Sequence, residues 1–166
     1  MRYTRLNMRI IGIDPGLGRL GWGVVQSVSN RQIAIRYGCI ETDKDTSEEK
    51  RIEQVYAQLK AVIDELKPEA LAVEKLFFGR NVTTAFMVGQ ARGVVLLLAA
   101  QAQIPVYEYN PGEVKIAVTG YGKADKSQIG QMVKAILKLE AMPRLDDTTD
   151  ALAIALTHAF THKIKK

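Results

Sequence analysis

Thiols and imidazoles are scarce in this chain. Cys39 is the one cysteine, and His158 and His162 are the two histidines, among 166 residues. A lone thiol forms no internal disulfide, which fits a reducing compartment such as the cytoplasm. No Ser-His or Cys-His pair offers itself for covalent catalysis, because Cys39 falls in a predicted strand and both histidines in the last predicted helix. His158 and His162 have the i, i+4 spacing of a zinc pair, yet no Glu follows His158 as a His-Glu-x-x-His site requires. Gly120-Tyr-Gly-Lys123 lacks the spacing of a P-loop. Long apolar runs are missing too: the longest, 93–100, falls far short of the roughly 20 residues a membrane helix needs. No signal peptide, internal repeat, low-complexity tract or linker is visible. The length suits one domain with a real core, read as residues 8–166 behind a loose polar extension, residues 1–7.

Acids are the minority charge. Lys and Arg number 23 against 18 Asp and Glu, a formal net charge of +5, which favours a polyanionic partner. The 47% apolar fraction is that of a folded protein.

What is present begins with Met8-Arg9-Ile10-Ile11-Gly12-Ile13-Asp14-Pro15-Gly16. A β-branched run ends in an acid and then in turn chemistry, so Asp14 is placed on a strand or at its end. Further strands are expected near 21–28 and 32–41, and the short links make the three an antiparallel meander. Thr46-Ser47-Glu48-Glu49 has a capping-box pattern. From Ile52 to Leu66 the apolar residues recur at helical spacing until Lys67-Pro68 stops the helix. Ala70–Glu74 reads as a short buried strand. A helix capped by Asn81 is expected to run to about Gln103, followed by a strand over 104–109. A short helix from Pro111 and two helices near 125–139 and 147–163 complete the chain. This pattern predicts an α/β domain, a mixed five-stranded sheet of a three-strand meander then two strands, flanked by helices. Ala85, Gly89 and Gly93 form a small-residue stripe at i, i+4, i+8, which implies that another backbone packs closely there.

Four acids stand out by position. Asp14 ends the first strand and Glu74 the fourth. Asp147 and Asp150 open the last helix, one turn apart and therefore on one face. If the strands of Asp14 and Glu74 are neighbours, all four converge at one sheet end. Such clustered negative charge calls for divalent cations with oxygen ligands, and two metals about 3.5–4 Å apart would clamp a phosphodiester displacement. Without those four, 23 basic side chains face 14 acidic ones, a surface suited to nucleic acid. Plainer readings stay open residue by residue: Asp14 capping its own turn, and Asp147 and Asp150 complementing a helix dipole.

Ile-Gly-Ile-Asp14-Pro-Gly, Ala-Val-Glu74-Lys-Leu-Phe77, Gly89-Gln-Ala-Arg-Gly93, Val114-Lys115, Lys126-Ser-Gln and Asp147-Thr-Thr-Asp150-Ala-Leu-Ala-Ile-Ala resemble, in order, the RuvC family of Holliday-junction resolvases. The matches run from Met8 to His158. The resemblance implies an RNase H-like fold, a homodimer, two Mg²⁺ per active site with Mn²⁺ as substitute, and paired nicking of four-way DNA junctions for recombination and repair. It also implies a partnership with the RuvAB branch-migration complex. Position by position it assigns Asp14, Glu74, Asp147 and Asp150 as catalytic metal ligands. Lys115 becomes an active-site lysine that also contacts DNA, Lys126 a DNA contact, and Phe77 an aromatic near the junction centre. Arg80, in the glycine-containing loop after Phe77, joins the DNA-binding set. The chain departs from the pattern at Thr148-Thr149, where relatives often carry alanine, and at Asp146, an extra acid that competes with Asp147; the motif register favours Asp147.

Rivals remain at this point. Phe77-Phe78 also fit core plugs, and Lys115 and Lys126 solvated surface lysines. A Gly-Ile-Asp-x-Gly turn opens one lobe of actin-like ATPases, which need two such lobes. A non-catalytic junction-binding module would be expected to lack one of the four acids. A relative that degrades RNA is harder to exclude from the sequence than either of these.

Overall fold

The computed structural model describes residues 7–29, 31–75 and 82–162. Phe77, Arg80 and the expected cap Asn81 lie outside the described residues, as does the extension up to residue 6. Asn7 is tied down: its side-chain oxygen accepts from Gln26 Nε2 at 2.7 Å.

Strands β1 (Met8–Asp14), β2 (Arg19–Val28) and β3 (Arg31–Glu41) form the predicted meander, antiparallel throughout. β4 (Ala70–Glu74) lies parallel to β1, and β5 (Val106–Tyr109) parallel to β4, giving the order β3-β2-β1-β4-β5. The parallel pairs need crossovers, and helices α1 (Glu48–Leu66) and α2 (Val82–Gln101) supply them. Both pack on one face of the sheet, over Ile11, Ile13, Leu71 and Val73. Helices α3 (Pro111–Thr119), α4 (Lys126–Leu137) and α5 (Asp146–Thr161) cover the other face, over Ile10, Val25, Ala70 and Ala72. A sheet buried on both faces explains why β4 is apolar until Glu74.

Local chemistry departs from expectation at three points. The capping box predicted at Thr46–Glu49 does not form: Ser47 is the N-cap of α1, and its hydroxyl donates to Glu49 instead of accepting from the helix. Capping boxes form instead at Asn110–Glu113 and Asp125–Gln128, opening α3 and α4. Pro105 lacks a backbone N–H, so β5 starts one residue beyond it rather than at 104. Finally, α2 has the length and composition to cross a bilayer, which a search for uninterrupted apolar runs misses because Gln90 and Arg92 divide the helix. It lies on the sheet through Ala91, Val94, Val95, Leu98 and Ala99, while Val82, Phe86 and Leu97 are exposed.

Candidate active site

The site begins with three glycines. α5 presses its backbone onto β1 and β2 at positions where a side chain leaves no room. A Cβ on Gly12 would stand 2.0 Å from the Ala151 carbonyl oxygen, and one on Gly21 would stand 1.9 Å from that of Asp147. Gly23 takes the Leu152 side chain in the same way. Asp14 pairs directly with Gly21 across the strands, so the contact that seats the first turn of α5 also brings Asp147 beside Asp14.

Glu74 arrives from the other side. β4 pairs with β1 up to Val73↔Ile13, which carries Glu74 to the same sheet end as Asp14. Arg92 of α2 holds that end: one guanidinium nitrogen donates to the Glu74 carbonyl oxygen at 3.2 Å, and another is ion-paired with Glu108. Sequence reasoning noted Arg92 only as part of a glycine motif. Its signal was that it is the one charged residue of α2.

Electrostatics unite the acids. Burial pushes the Asp14 carboxyl up to about 7, with Asp150, Glu74 and Asp147 adding repulsion and Lys126 opposing it. Burial raises Glu74 as well, and the Asp150 charge adds to that. Asp150 is raised chiefly by burial and drawn back by Lys126, whose ammonium lies 3.3 Å from the Asp150 carboxylate. Both acids act on Asp150, but of the two Asp147, half-buried, is the one that acts on Asp14, whereas Asp146 is exposed and acts on Lys126. The geometry favours Asp147 over its neighbour as the fourth member of the group.

Beside the acids, α3, α4 and α5 enclose a cleft of about 340 Å³. Glu74, Asp150, Lys115 and Lys126 stand around it, and Val114, Ala124, Ile129 and Ile154 make it apolar within. Lys115 thus lines the site, and Lys126, expected as a DNA contact, is the lysine that pairs with an acid. The four predicted acids and both lysines share one end of the molecule; Phe77 and Arg80 lie outside the described residues.

Among the described residues, no three Asp, Glu, His or Cys side chains stand at the spacing of a ready-made cation site. Like charges at this density repel, and Lys126 draws Asp150 toward itself, which accounts for an open arrangement. The donor set nonetheless fits hard divalent cations. It is all carboxylate oxygen, and a buried carboxylate pushed to about 7 is one that a cation would stabilise. The histidines do not belong to it: His158 is fully buried beneath β5 and contacts Tyr109 and Tyr107.

A family model, crossover junction endodeoxyribonuclease RuvC, matches residues 10–158. The chain belongs to the RuvC family. It is 53% identical over 152 residues to the crossover junction endodeoxyribonuclease RuvC of Desulfitobacterium hafniense, with 92% of each chain covered. The structure of Thermus thermophilus RuvC in complex with Holliday junction substrate is similar at a TM-score of 0.90 and 40% identity, over 95% of this chain and 96% of that one. A yeast mitochondrial Holliday junction resolvase shares the fold at a TM-score of 0.69 and 14% identity, over 97% and 82% of the two chains. The mixed sheet with helices on both faces is the RNase H-like fold.

Proposed function

We propose that this family member is a structure-selective endodeoxyribonuclease that resolves four-way DNA junctions by symmetric paired nicking. One observation carries the reading: Asp14, Glu74, Asp147 and Asp150 come from three separate elements to one sheet end, where burial and mutual repulsion push Asp14 up to about 7. A structural acid gains nothing from such a position; a ligand for a divalent cation does. Asp14, Glu74, Asp147 and Asp150 would hold two Mg²⁺ ions, with Mn²⁺ as substitute. Those ions would supply an activated water and a stabilised leaving oxygen, so hydrolysis needs no covalent intermediate.

The chain's own groups do the rest. Lys115, at the cleft, offers positive charge to the scissile phosphate. Lys126, exposed apart from its contact with Asp150, can exchange that carboxylate for a phosphate when the acids take up cations. Phe77 and Arg80 complete the proposed DNA-binding set, with the aromatic ring stacking on unpaired bases at the junction centre. The excess of basic side chains supplies the backbone grip, which should weaken steeply with salt.

Paired nicking needs two sites in one particle, and α2 supports a homodimer. Among the described residues Gly89 and Gly93 face open space, flanked by the exposed apolar residues Phe86 and Leu97. A two-fold contact through this face would match the two-fold symmetry of a junction. The partnership with RuvAB rests on the family resemblance, the cytoplasmic setting on the lone thiol Cys39, and the division into residues 1–7 and 8–166 on the polar leader before Met8.

A strand-resolved nicking assay tests the proposal, with a four-way junction, linear duplex and RNA–DNA hybrid each incubated with and without Mg²⁺. Symmetric nicks in the junction alone, lost in EDTA while binding persists, are expected. Equal cleavage of the hybrid would point to an RNA-degrading relative, and full activity in EDTA would remove the cation from the mechanism.

A further inference from the structure

The acids and the histidines occupy opposite ends of α5, with eight residues, about 12 Å of helix, between Asp150 and His158. His158 has no exposed surface. Burial beside His162 pushes its imidazole down to about 4, so the ring stays neutral. Its Nδ1 lies 2.7 Å from the Tyr109 hydroxyl. Thr161 Oγ1 lies 3.3 Å from that hydroxyl and 2.8 Å from the Thr157 carbonyl oxygen. If Thr161 gives its single proton to the carbonyl, the closer acceptor, its oxygen is left to accept from Tyr109, and Tyr109 to accept from His158 Nδ1–H. One directional chain then runs from His158 through Tyr109 and Thr161 to Thr157. It leaves Nε2 as a bare lone pair, and Nε2 is buried without a partner. Phenylalanine at 158 would fill similar space without that orphan, so the polar pair calls for a reason beyond packing.

Tyr109 supplies one. It is the last residue of β5 and pairs in register with Glu74. Its carbonyl accepts from Lys75 N–H at 2.8 Å. The next residue, Asn110, caps α3, the helix that carries Lys115. Tyr109 is therefore joined through backbone to two parts of the site, and through its hydroxyl to α5, which carries two more. The glycine contacts set α5 against β1 and β2, and hence Asp147 against Asp14. Ala70 and Ala72 of β4 share the apolar core with α5, but methyl groups make no directional bond. Among the described residues, side-chain hydrogen bonds between β5 and α5 run through the Tyr109 hydroxyl alone.

We infer that Tyr109 and His158 are positioning residues whose hydrogen bond sets the separation of Glu74 and Lys115 from Asp150, and with it the affinity of the acids for their divalent cations. This rests on the cation-dependent reading above. Hydrogen bonds made directly to metal ligands typically carry 10–100-fold in affinity or activity; the Tyr109–His158 bond acts one step further out, through backbone, and a change at the low end, about tenfold, is expected here.

The test uses the full chain with Tyr109→Phe, His158→Phe and the double variant. Two quantities are read: the rise in melting temperature on adding Mn²⁺ without DNA, and the Mg²⁺ concentration for half-maximal junction nicking. Each single variant should need about ten times more Mg²⁺ and show a smaller Mn²⁺-induced rise, with junction affinity in EDTA unchanged. The double variant should be no worse than either single one, because both remove the same bond. His158→Phe should melt no lower than wild type without metal, since it removes the orphaned nitrogen. A merely structural bond predicts instead that metal dependence follows stability. Ile63→Val in α1, which removes a buried methyl far from the site, should lower the melting temperature yet leave metal dependence as in wild type. Wild-type half-saturation and Mn²⁺ response in Tyr109→Phe would overturn the inference, and that variant decides alone if His158→Phe does not fold. A wild-type protein with neither Mn²⁺ response nor cation-dependent nicking would overturn the cation reading itself, and the inference with it.

Discussion

Two groups of glycines in this molecule do opposite things. Those of β1 and β2 are filled: the backbone of α5 lies where the side chains of residues 12 and 21 would be. Those of α2 are empty: among the described residues, nothing stands within 4 Å of where a Cβ at Gly89 or Gly93 would lie. A glycine in a helix interior costs about 1 kcal/mol against alanine, so α2 carries a local penalty that no contact among the described residues offsets. The difference teaches where each contact belongs. The filled glycines build the site by seating the acids of α5 over Asp14, whereas the empty ones are where the proposed homodimer would make its contact.

The largest effects should come from β1, where a substitution at the filled contact and one at the acid two residues later separate folding from chemistry. Asp14→Asn, like Glu74→Gln and Asp150→Asn, should reduce nicking to background while junction binding persists, measured on the same preparation. Gly12→Ala should lose nicking by a different route. Its Cβ meets backbone atoms of α5 at 2.0 and 2.6 Å, so the helix must move, at a cost of about 1–3 kcal/mol or more in denaturant unfolding. A Gly12→Ala protein of wild-type stability and activity would show that the contact between α5 and the sheet is not what seats the acids.

A pH experiment sharpens the same contrast from the electrostatic side. The Asp14 carboxyl sits at about 7 in the folded protein against an ordinary value of 3.8. Its folded form therefore binds a proton more tightly than the unfolded chain does. The stability this contributes is complete below about pH 4 and is lost as pH rises through 7. In EDTA, wild type should lose on the order of 3 kcal/mol between pH 4.5 and 8 relative to Asp14→Asn. The asparagine variant should be the more stable of the two at pH 8, and Mg²⁺ should narrow the gap by binding the charged form. Parallel stability curves for the two proteins in EDTA would mean that Asp14 is not held in its neutral form.

At the empty glycines the expected effect falls on assembly. Gly89→Leu adds a branched side chain where the chain itself has space, so the subunit should fold as wild type does by circular dichroism and thermal melting. If a partner backbone lies there, dimer affinity should fall by about 1–3 kcal/mol. Sedimentation should then show monomer at concentrations where wild type is dimeric, with paired nicking lost. A dimer of unchanged affinity would put the interface on another face.

Much of this was legible in the sequence, for identifiable reasons. β1, β4 and α1 announced themselves because their apolar spacing and their Pro-Gly or Lys-Pro stops are local signals. The four acids were legible because each sits at the end of such an element. The Thr46–Glu49 capping box was wrongly expected because the pattern fits Thr46, whereas the helix starts after Ser47, and the two differ by one residue of backbone. Tyr109 and His158 were not legible as a pair, since their 2.7 Å contact joins residues 49 apart in sequence. The role of Arg92 was hidden for a similar reason: its partners, Glu74 and Glu108, are on two strands that sequence alone does not place side by side.

The smallest effect should separate two adjacent acids. Asp146 and Asp147 both open α5, and the family motif alone prefers the second. In the structure Asp147 is half-buried and repels Asp14, while Asp146 is exposed and acts on Lys126 and Asp150 from outside. The Asp147 backbone also rests against Gly21, so this residue is anchored at the strand that faces Asp14 and has less freedom to yield its place. Asp147→Asn should therefore reduce nicking strongly. Asp146→Asn removes only an exposed charge, and exposed charges are typically worth about 0–1 kcal/mol, so kcat should change by no more than a few-fold. Its slight effect should appear in Lys126, whose ammonium loses one of the carboxylates that raise its pKa; with less negative charge nearby, junction affinity at low salt should rise modestly. If Asp146→Asn cripples nicking while Asp147→Asn spares it, α5 presents the other acid to Asp14, and its first turn must rotate when cations bind.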